Sequence, residues 1–189
     1  IQKFSAGLIR ALKEAGHEVF VVSREEHSSK LAFAVRAITV VFKQRPDVVL
    51  CGHIRIAPIG SLTALFGFPF AVFVYGIEAW SGLGAIEVRA LRSASVVVAI
   101  SEFTKAKVLL CANLPEEKFF ILPPFVDGDE FYIKEPSEAF LARSGLLGKR
   151  AILTIGRLAA EEQYKGYDLV LEVLPRLVKA VPNLVYVLA

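Results

Sequence analysis

Two basic side chains flank a strand-to-helix junction near the end of the chain. Gly156-Arg157-Leu158 follows an apolar run, and Lys165-Gly166 precedes a helical pattern that begins near Tyr167. Open α/β sheets bind ligands at such junctions, and an arginine fork, a lysine ammonium and a helix start together favour a diphosphate. Spacing alone leaves a second interpretation open, in which the two cations form surface ion pairs. The acidic neighbours are Glu161, Glu162 and Asp168.

The apolar pattern predicts the elements that must position these residues. Helical spacing predicts helices at about 4–15, 29–44, 59–66, 85–93, 102–109, 137–143 and 167–180. Runs of β-branched and aromatic residues predict strands at 18–22, 47–51, 70–75, 95–100, 118–122, 150–156 and from 184. Strands without a polar face are typical of parallel sheets that are buried on both sides. The alternation therefore predicts a doubly wound α/β fold.

The alternation breaks once, which predicts a boundary between two domains. Residues 134–148 are rich in proline, glycine and acids around a short helical stretch, and they are predicted to be a linker. Residues 1–133 form the first predicted domain. Residues 149–189 then contain only the first βαβ unit of a second, Rossmann-like domain.

One long segment lacks charge, and composition limits what it can be. No charged residue occurs between Arg55 and Glu78, which is enough chain to span a bilayer. Gly67-Phe68-Pro69 divides the segment into a short helix and a strand, so we expect both to be buried. A membrane-associated surface is the alternative. Because 54% of the residues are apolar and 22% are charged, disorder is excluded.

The charged residues and the potential metal ligands indicate no further class of function. The net charge is +3 and the basic residues are scattered among acids, so no nucleic-acid-binding tract is predicted. His17, His27 and His53 lack the spacing of metal ligands, and we expect them to be surface or loop histidines. No metal site is predicted.

The Gly-Arg-Leu and Lys-Gly pattern resembles the opening of the C-terminal domain in family 4 glycosyltransferases, retaining enzymes of the GT-B fold. Other segments resemble the same family in the same order, across nearly the whole chain. They are Ala15-Gly16-His17-Glu18-Val19, Arg45-Pro46-Asp47-Val48-Val49, Tyr75-Gly76-Ile77-Glu78, Val98-Ala99-Ile100-Ser101-Glu102 and Leu122-Pro123-Pro124-Phe125-Val126-Asp127. Each match is weak alone, but their order and spacing make the set specific.

The resemblance implies a role for five residues. Gly156, Arg157 and Lys165 would bind the diphosphate of a nucleotide-sugar donor, and Tyr75 with Glu78 would border the reacting centre. The family usually has histidine where this chain has Tyr75, which can donate a hydrogen bond but cannot act as a cation near neutral pH. An aromatic closing the strand end is the alternative for Tyr75. A solvated carboxylate at a helix start is the alternative for Glu78.

The resemblance also implies a reaction and its partners. We expect sugar transfer from a nucleotide-sugar co-substrate to a glycan, lipid-linked or small-molecule acceptor, with retention, without metal and without another cofactor. A cytoplasmic location follows, with the inner membrane face and peripheral membrane association as alternatives. The chain is expected to lack the family's first strand and most of its donor domain, and to have no transferase activity alone. A non-catalytic GT-B-like binding protein and a nucleotide-sugar epimerase are the alternative functions.

Overall fold

The computed structural model of the chain describes residues 2–80, 82–156, 158 and 164–189, which form two compact units. In the first unit, Ile1–Phe131, the helices are α1 (Gln2–Glu14), α2 (Lys30–Gln44), α3 (Ala57–Ala64), α4 (Ile77–Trp80), α5 (Ala85–Ser93) and α6 (Glu102–Ala112). Its strands are β1 (Val49–Cys51), β2 (Phe70–Val74), β3 (Val96–Ala99) and β4 (Phe119–Ile121). The second unit, Tyr132–Ala189, contains α7 (Glu138–Arg143), β5 (Arg150–Thr154), α8 (Tyr167–Ala180) and β6 (Leu184–Leu188).

The first unit is built on a parallel sheet with the strand order β1-β2-β3-β4. Cys51 pairs with Val72, while Val74 pairs with Ala99 and Ala99 with Ile121. The carboxyl ends of the strands therefore meet at one edge of the sheet, where ligands bind in folds of this class. The prediction of an α/β fold with parallel strands is confirmed.

The core of this unit surrounds β2, which is buried along its whole length. Helix α3 packs so closely on the sheet that a methyl group on Gly60 would lie 2.5 Å from the Phe70 ring and 2.7 Å from Cys51 Sγ. Only glycine allows this approach, because real side-chain carbons essentially never come under 3.0 Å. The uncharged segment thus forms a helix and a strand, as predicted. The strand is buried, whereas α3 is buried on one side only, and Leu65 and Phe66 after its end are exposed. No helix in the described residues is long and apolar enough to cross a membrane.

The second unit is a βαβ arrangement in which β5 and β6 are parallel neighbours. None of its described residues is buried, in contrast to the first unit. The unit begins at Tyr132 and includes α7, which lies inside the predicted linker. The domain limits 1–133, 134–148 and 149–189 stay a prediction.

One predicted strand, residues 18–22, is wrong, because these residues have no regular secondary structure. Glu18, Val19, Phe20 and Val22 line an open cavity of about 680 Å³ together with residues of β1 and α2. A strand needs a neighbour that pairs with its N–H and C=O groups. In the described chain β1 pairs only with β2, and residues 18–22 pair with no strand. Residues 18–22 do have the apolar pattern of a strand. They form none in the described chain because no neighbouring strand pairs with their backbone groups.

Candidate functional site

A carboxylate closes the loop at the carboxyl end of β2. Oε1 of Glu78 accepts hydrogen bonds from the backbone N–H groups of Tyr75, at 2.8 Å, and Gly76, at 3.1 Å. The structure thus brings the predicted pair together, with both side chains half-buried. Glu78 here is a loop-closing acceptor rather than a fully solvated carboxylate.

The Tyr75 ring lies against α1. Its centroid is 5.9 Å from that of Phe4 in an edge-on arrangement, and its side chain forms a hydrogen bond with Ser5. Burial raises the pKa of the Tyr75 phenol, and the negative charge of Glu78 raises it further, against the lowering effect of the Ser5 hydrogen bond. The phenol therefore stays protonated at neutral pH and can act as a neutral hydrogen-bond donor.

Helix α6 fixes the same loop from the neighbouring strand end. The hydroxyl of Thr104, which is fully buried, donates to the carbonyl oxygen of Tyr75 at 3.5 Å. Ser101 caps α6 by accepting a hydrogen bond from the Thr104 N–H. The Trp80 ring packs edge-on against Phe103, with centroids 5.1 Å apart. Two helices thus hold the loop that carries Tyr75 and Glu78.

His53 also lies at this site, although it was predicted only as a surface or loop histidine. The register places it beside the end of β2, because Cys51 pairs with Val72. Its Nδ1 accepts a hydrogen bond from the Arg55 N–H at 3.0 Å, so the neutral ring presents an Nε2–H donor. Burial lowers the pKa of His53; the Glu78 charge raises it and the Arg55 charge lowers it. The position of Gly52-His53 directly after an apolar strand was the available signal.

The predicted cationic loop lies in the second unit. Gly156 follows β5, and its N–H donates to the carbonyl oxygen of Ala189 at 2.8 Å. A methyl group on Gly156 would lie 3.3 Å from both Cδ and Nζ of Lys165, so the ammonium lies beside this strand end. Gly166 then has a positive φ of 73°, and α8 begins at Tyr167. The structure brings Gly156 and Lys165 together, whereas Arg157 lies outside the described residues.

In the part of the chain that the structure describes, no group of three or more His, Cys, Asp or Glu side chains could hold a metal ion. The electrostatic contrast between the two strand ends is clear. One has a protein carboxylate bound to its N–H groups, and the other has a lysine ammonium beside its glycine.

Solved structures share this fold. Anabaena Alr3699/HepE in complex with UDP-glucose has a TM-score of 0.64 at 18% identity, over 95% of this chain and 49% of that one. The same protein with UDP has a TM-score of 0.66 at 17% identity, with the same coverage. S. aureus MnaA with UDP is a more distant neighbour, with a TM-score of 0.49 at 16% identity, over 91% of this chain and 47% of that one. The chain thus spans about half the length of the structures it resembles.

A family match extends over most of the first unit, which is also most of the chain. No protein with a curated description matches the sequence. Residues 1–130 match the Glycosyltransferase Family 4 pattern, and the parallel α/β architecture agrees with the GT-B fold of the structural neighbours. The chain therefore belongs to Glycosyltransferase Family 4.

Proposed function

We propose that the protein transfers a sugar from a nucleotide-sugar donor to an acceptor hydroxyl, with retention of the anomeric configuration and without a metal ion. The observation that carries the proposal is the position of the Lys165 ammonium beside Gly156, at the carboxyl end of a parallel strand. Family membership supports the reaction class. The neighbour Alr3699/HepE, which was solved with UDP-glucose, supports a nucleotide-sugar as the donor.

The proposed chemistry needs positive charge where the donor breaks. The acceptor oxygen forms a bond to the anomeric carbon on the same face from which the phosphate leaves, so the configuration is retained. The bond from that carbon to the phosphate oxygen breaks, and the acceptor proton passes to the leaving phosphate oxygen. The electron pair stays on the leaving nucleoside diphosphate. Arg157 and Lys165 would stabilise this growing charge more in the transition state than in the bound donor, which is the condition for faster turnover.

The first unit would supply the acceptor side of the reaction. Tyr75 and His53 each offer a neutral hydrogen-bond donor at the carboxyl edge of the sheet. Such donors suit a sugar or lipid-linked acceptor hydroxyl, whose oxygen accepts hydrogen bonds. We assign Glu78 a positioning role, because its Oε1 is bound to the two N–H groups of its own loop.

Lys165→Ala tests the proposal. Because the chain spans about half of its structural neighbours, the assay uses the longest protein that its reading frame encodes. Release of nucleoside diphosphate from a panel of nucleotide-sugars is measured with chelator present. We expect kcat/KM to fall roughly 10²–10³-fold in Lys165→Ala, the scale of one lost oxyanion donor. Lys149→Ala, at an exposed lysine of the same unit, is the control and should leave the rate unchanged.

Other outcomes would favour different conclusions. An unchanged rate in Lys165→Ala would mean that Lys165 serves only surface ion pairs. Donor binding without any turnover, in the presence of a range of acceptors, would favour the non-catalytic alternative. Loss of activity with chelator would contradict a metal-independent mechanism.

A further inference from the structure

Helix α2 has a second apolar face that points away from the sheet. Phe33, Ala37 and Val41 line the cavity beside β1 and define its inner face. Leu31, Val35, Ile38 and Phe42 recur at spacings of four, three and four residues, which places them on the opposite side of the helix. Leu31 is 74% exposed and Val35 is 56% exposed. An apolar stripe about 16 Å long, at 1.5 Å per residue, therefore follows the outer side of α2, and its first two members are exposed.

The stripe continues onto the end of α3. The Phe42 ring lies 5.2 Å from the Phe66 ring and 5.5 Å from the Phe68 ring, measured between centroids. Leu65, beside Phe66, is 80% exposed. We call the whole patch the α2–α3 surface. Its apolar members are Leu31, Val35, Ile38, Phe42, Leu62, Leu65 and Phe66.

The charges beside the α2–α3 surface have one dominant sign. Between Glu26 and Glu78 the chain carries five Lys or Arg residues and a single acid, Asp47. The net charge of this segment exceeds the +3 of the whole chain, so the remainder is slightly acidic. Arg36 and Lys43, seven residues apart on α2, lie on one side of the stripe. The cations on or next to α2 are Lys30, Arg36, Lys43 and Arg45, and all are exposed.

We propose that the α2–α3 surface docks on an anionic lipid bilayer, with the apolar stripe in the interface and the flanking cations at the headgroups. A helix face with large apolar residues beside Lys and Arg is the composition of interfacial membrane-binding segments. Anionic headgroups attract each juxtamembrane cation, whereas a second copy of the same surface would bring like charges together. The bilayer is the occupant that satisfies both the apolar stripe and the charges.

Vesicle flotation of the 189-residue chain tests the proposal without donor or acceptor, so the outcome does not depend on the proposed transferase activity. Vesicles of phosphatidylcholine are compared with vesicles that also contain phosphatidylglycerol. We expect binding to the anionic vesicles, weakened by added salt. Leu65→Glu should lower the partition coefficient roughly tenfold. Leu110→Glu is the matched control, because Leu110 is 83% exposed on α6 and lies outside the surface.

A charge variant keeps the test valid if an apolar substitution disturbs folding. Arg36→Gln with Lys43→Gln changes exposed polar side chains and should lower anionic partition about fivefold for each cation removed. Several results would overturn the proposal: no vesicle binding, equal binding to both vesicle types, or equal loss in Leu65→Glu and Leu110→Glu. A dimer in solution that Leu65→Glu abolishes would assign the surface to a second copy and would also overturn it.

Discussion

The loops after β2 and β5 occupy the same topological position and use it in opposite ways. In the loop after β2, the Glu78 carboxylate accepts hydrogen bonds from the backbone N–H groups of Tyr75 and Gly76, so these N–H groups are satisfied within the protein. The loop after β5 places a cation, Lys165, beside Gly156. Among the described residues after β5, the N–H of Gly156 donates to the carbonyl oxygen of Ala189 instead of to a carboxylate. The two strand ends thus differ in the sign of the side-chain charge beside them and in the acceptor that their N–H groups find.

The support beneath the two loops differs as well. The loop after β2 rests on a fully buried strand and on Thr104, which has no exposed surface. The strand β5 is only partly covered, and no described residue of its unit is buried. We therefore expect substitutions in the first loop to change the free energy of unfolding. Substitutions in the second should act mainly on donor binding.

The largest expected effect on stability is that of Glu78→Ala. This change leaves two half-buried N–H groups without their acceptor, which should cost about 2 kcal/mol of unfolding free energy. Trp80 is the single tryptophan of the chain and lies next to this loop, so its fluorescence during urea unfolding reports the change. Glu78→Gln keeps an accepting oxygen and is the control, with most of the stability retained.

The same pair of variants separates a positioning role from a charged one. If Glu78 acts only by closing the loop, Glu78→Gln should keep the rate of nucleoside diphosphate release in the assay proposed for Lys165→Ala. A large loss of kcat in Glu78→Gln with unchanged stability would instead show that its charge takes part in the reaction. Wild-type stability in Glu78→Ala would contradict the loop-closing role.

A matched pair of glycine substitutions compares the rigidity of the two loops. A methyl group on Gly76 would lie 3.3 Å from the Trp80 ring, and one on Gly156 would lie 3.3 Å from Lys165 Nζ. The ring is held by Phe103, so Gly76→Ala should destabilise the first unit by about 1 kcal/mol. The lysine chain is flexible and can move aside. Gly156→Ala should therefore leave the Trp80 unfolding curve unchanged and raise the donor KM about fivefold, the scale of one weakened exposed ion pair.

Gly128→Ala is the control for these two variants, because no atom lies within 4 Å of the methyl group that it would add. The expected order of destabilisation is Gly76→Ala well above Gly156→Ala and Gly128→Ala. Equal stability losses at residues 76 and 156 would remove the distinction between a rigid and an adaptable loop.

Much of the fold was predictable because local pattern and tertiary environment agree. The runs that form β2 and β3 lack a polar face, and both strands are central in the parallel sheet. Residues 18–22 show an equally good pattern, yet no strand forms there. A strand depends on a hydrogen-bonded neighbour, which composition cannot supply. The short helix α4 was anticipated only by the alternative that placed Glu78 at a helix start, because four residues are too few for helical periodicity to be visible.

The site was predictable where its residues are close in sequence. Tyr75 and Glu78 are three residues apart, and the backbone turn alone brings them together. Gly156 and Lys165 flank one strand-to-helix junction. His53 reaches the same edge only through the β1–β2 register, and Ser5 reaches Tyr75 only because α1 packs across the sheet. Such contacts depend on tertiary packing that a single sequence does not display.

The smallest expected effect concerns His53 and the pH dependence of the first unit. Burial lowers the pKa of His53 below its ordinary value, with Glu78 acting against burial and Arg55 in the same direction. Between that lowered pKa and about 6.5, the unfolded chain binds a proton that the folded chain does not. The contribution of His53 to the free energy of unfolding is therefore present above about pH 6.5. It is lost as the pH falls through the pKa of His53 in the folded chain.

His53→Asn should remove this part of the pH dependence of the unfolding free energy. Its effect on that free energy should be smaller than the effect of Gly76→Ala, because the His53 ring is half exposed and screened by solvent. Urea midpoints from Trp80 fluorescence, taken from about pH 8 down to about pH 5, measure the change across the range where histidine titrates. His17→Asn, at an exposed histidine, is the control. Wild-type and His53→Asn curves that stay parallel below about pH 6.5 would mean that protonation of His53 is not linked to folding, and that its ring is freely solvated at the sheet edge.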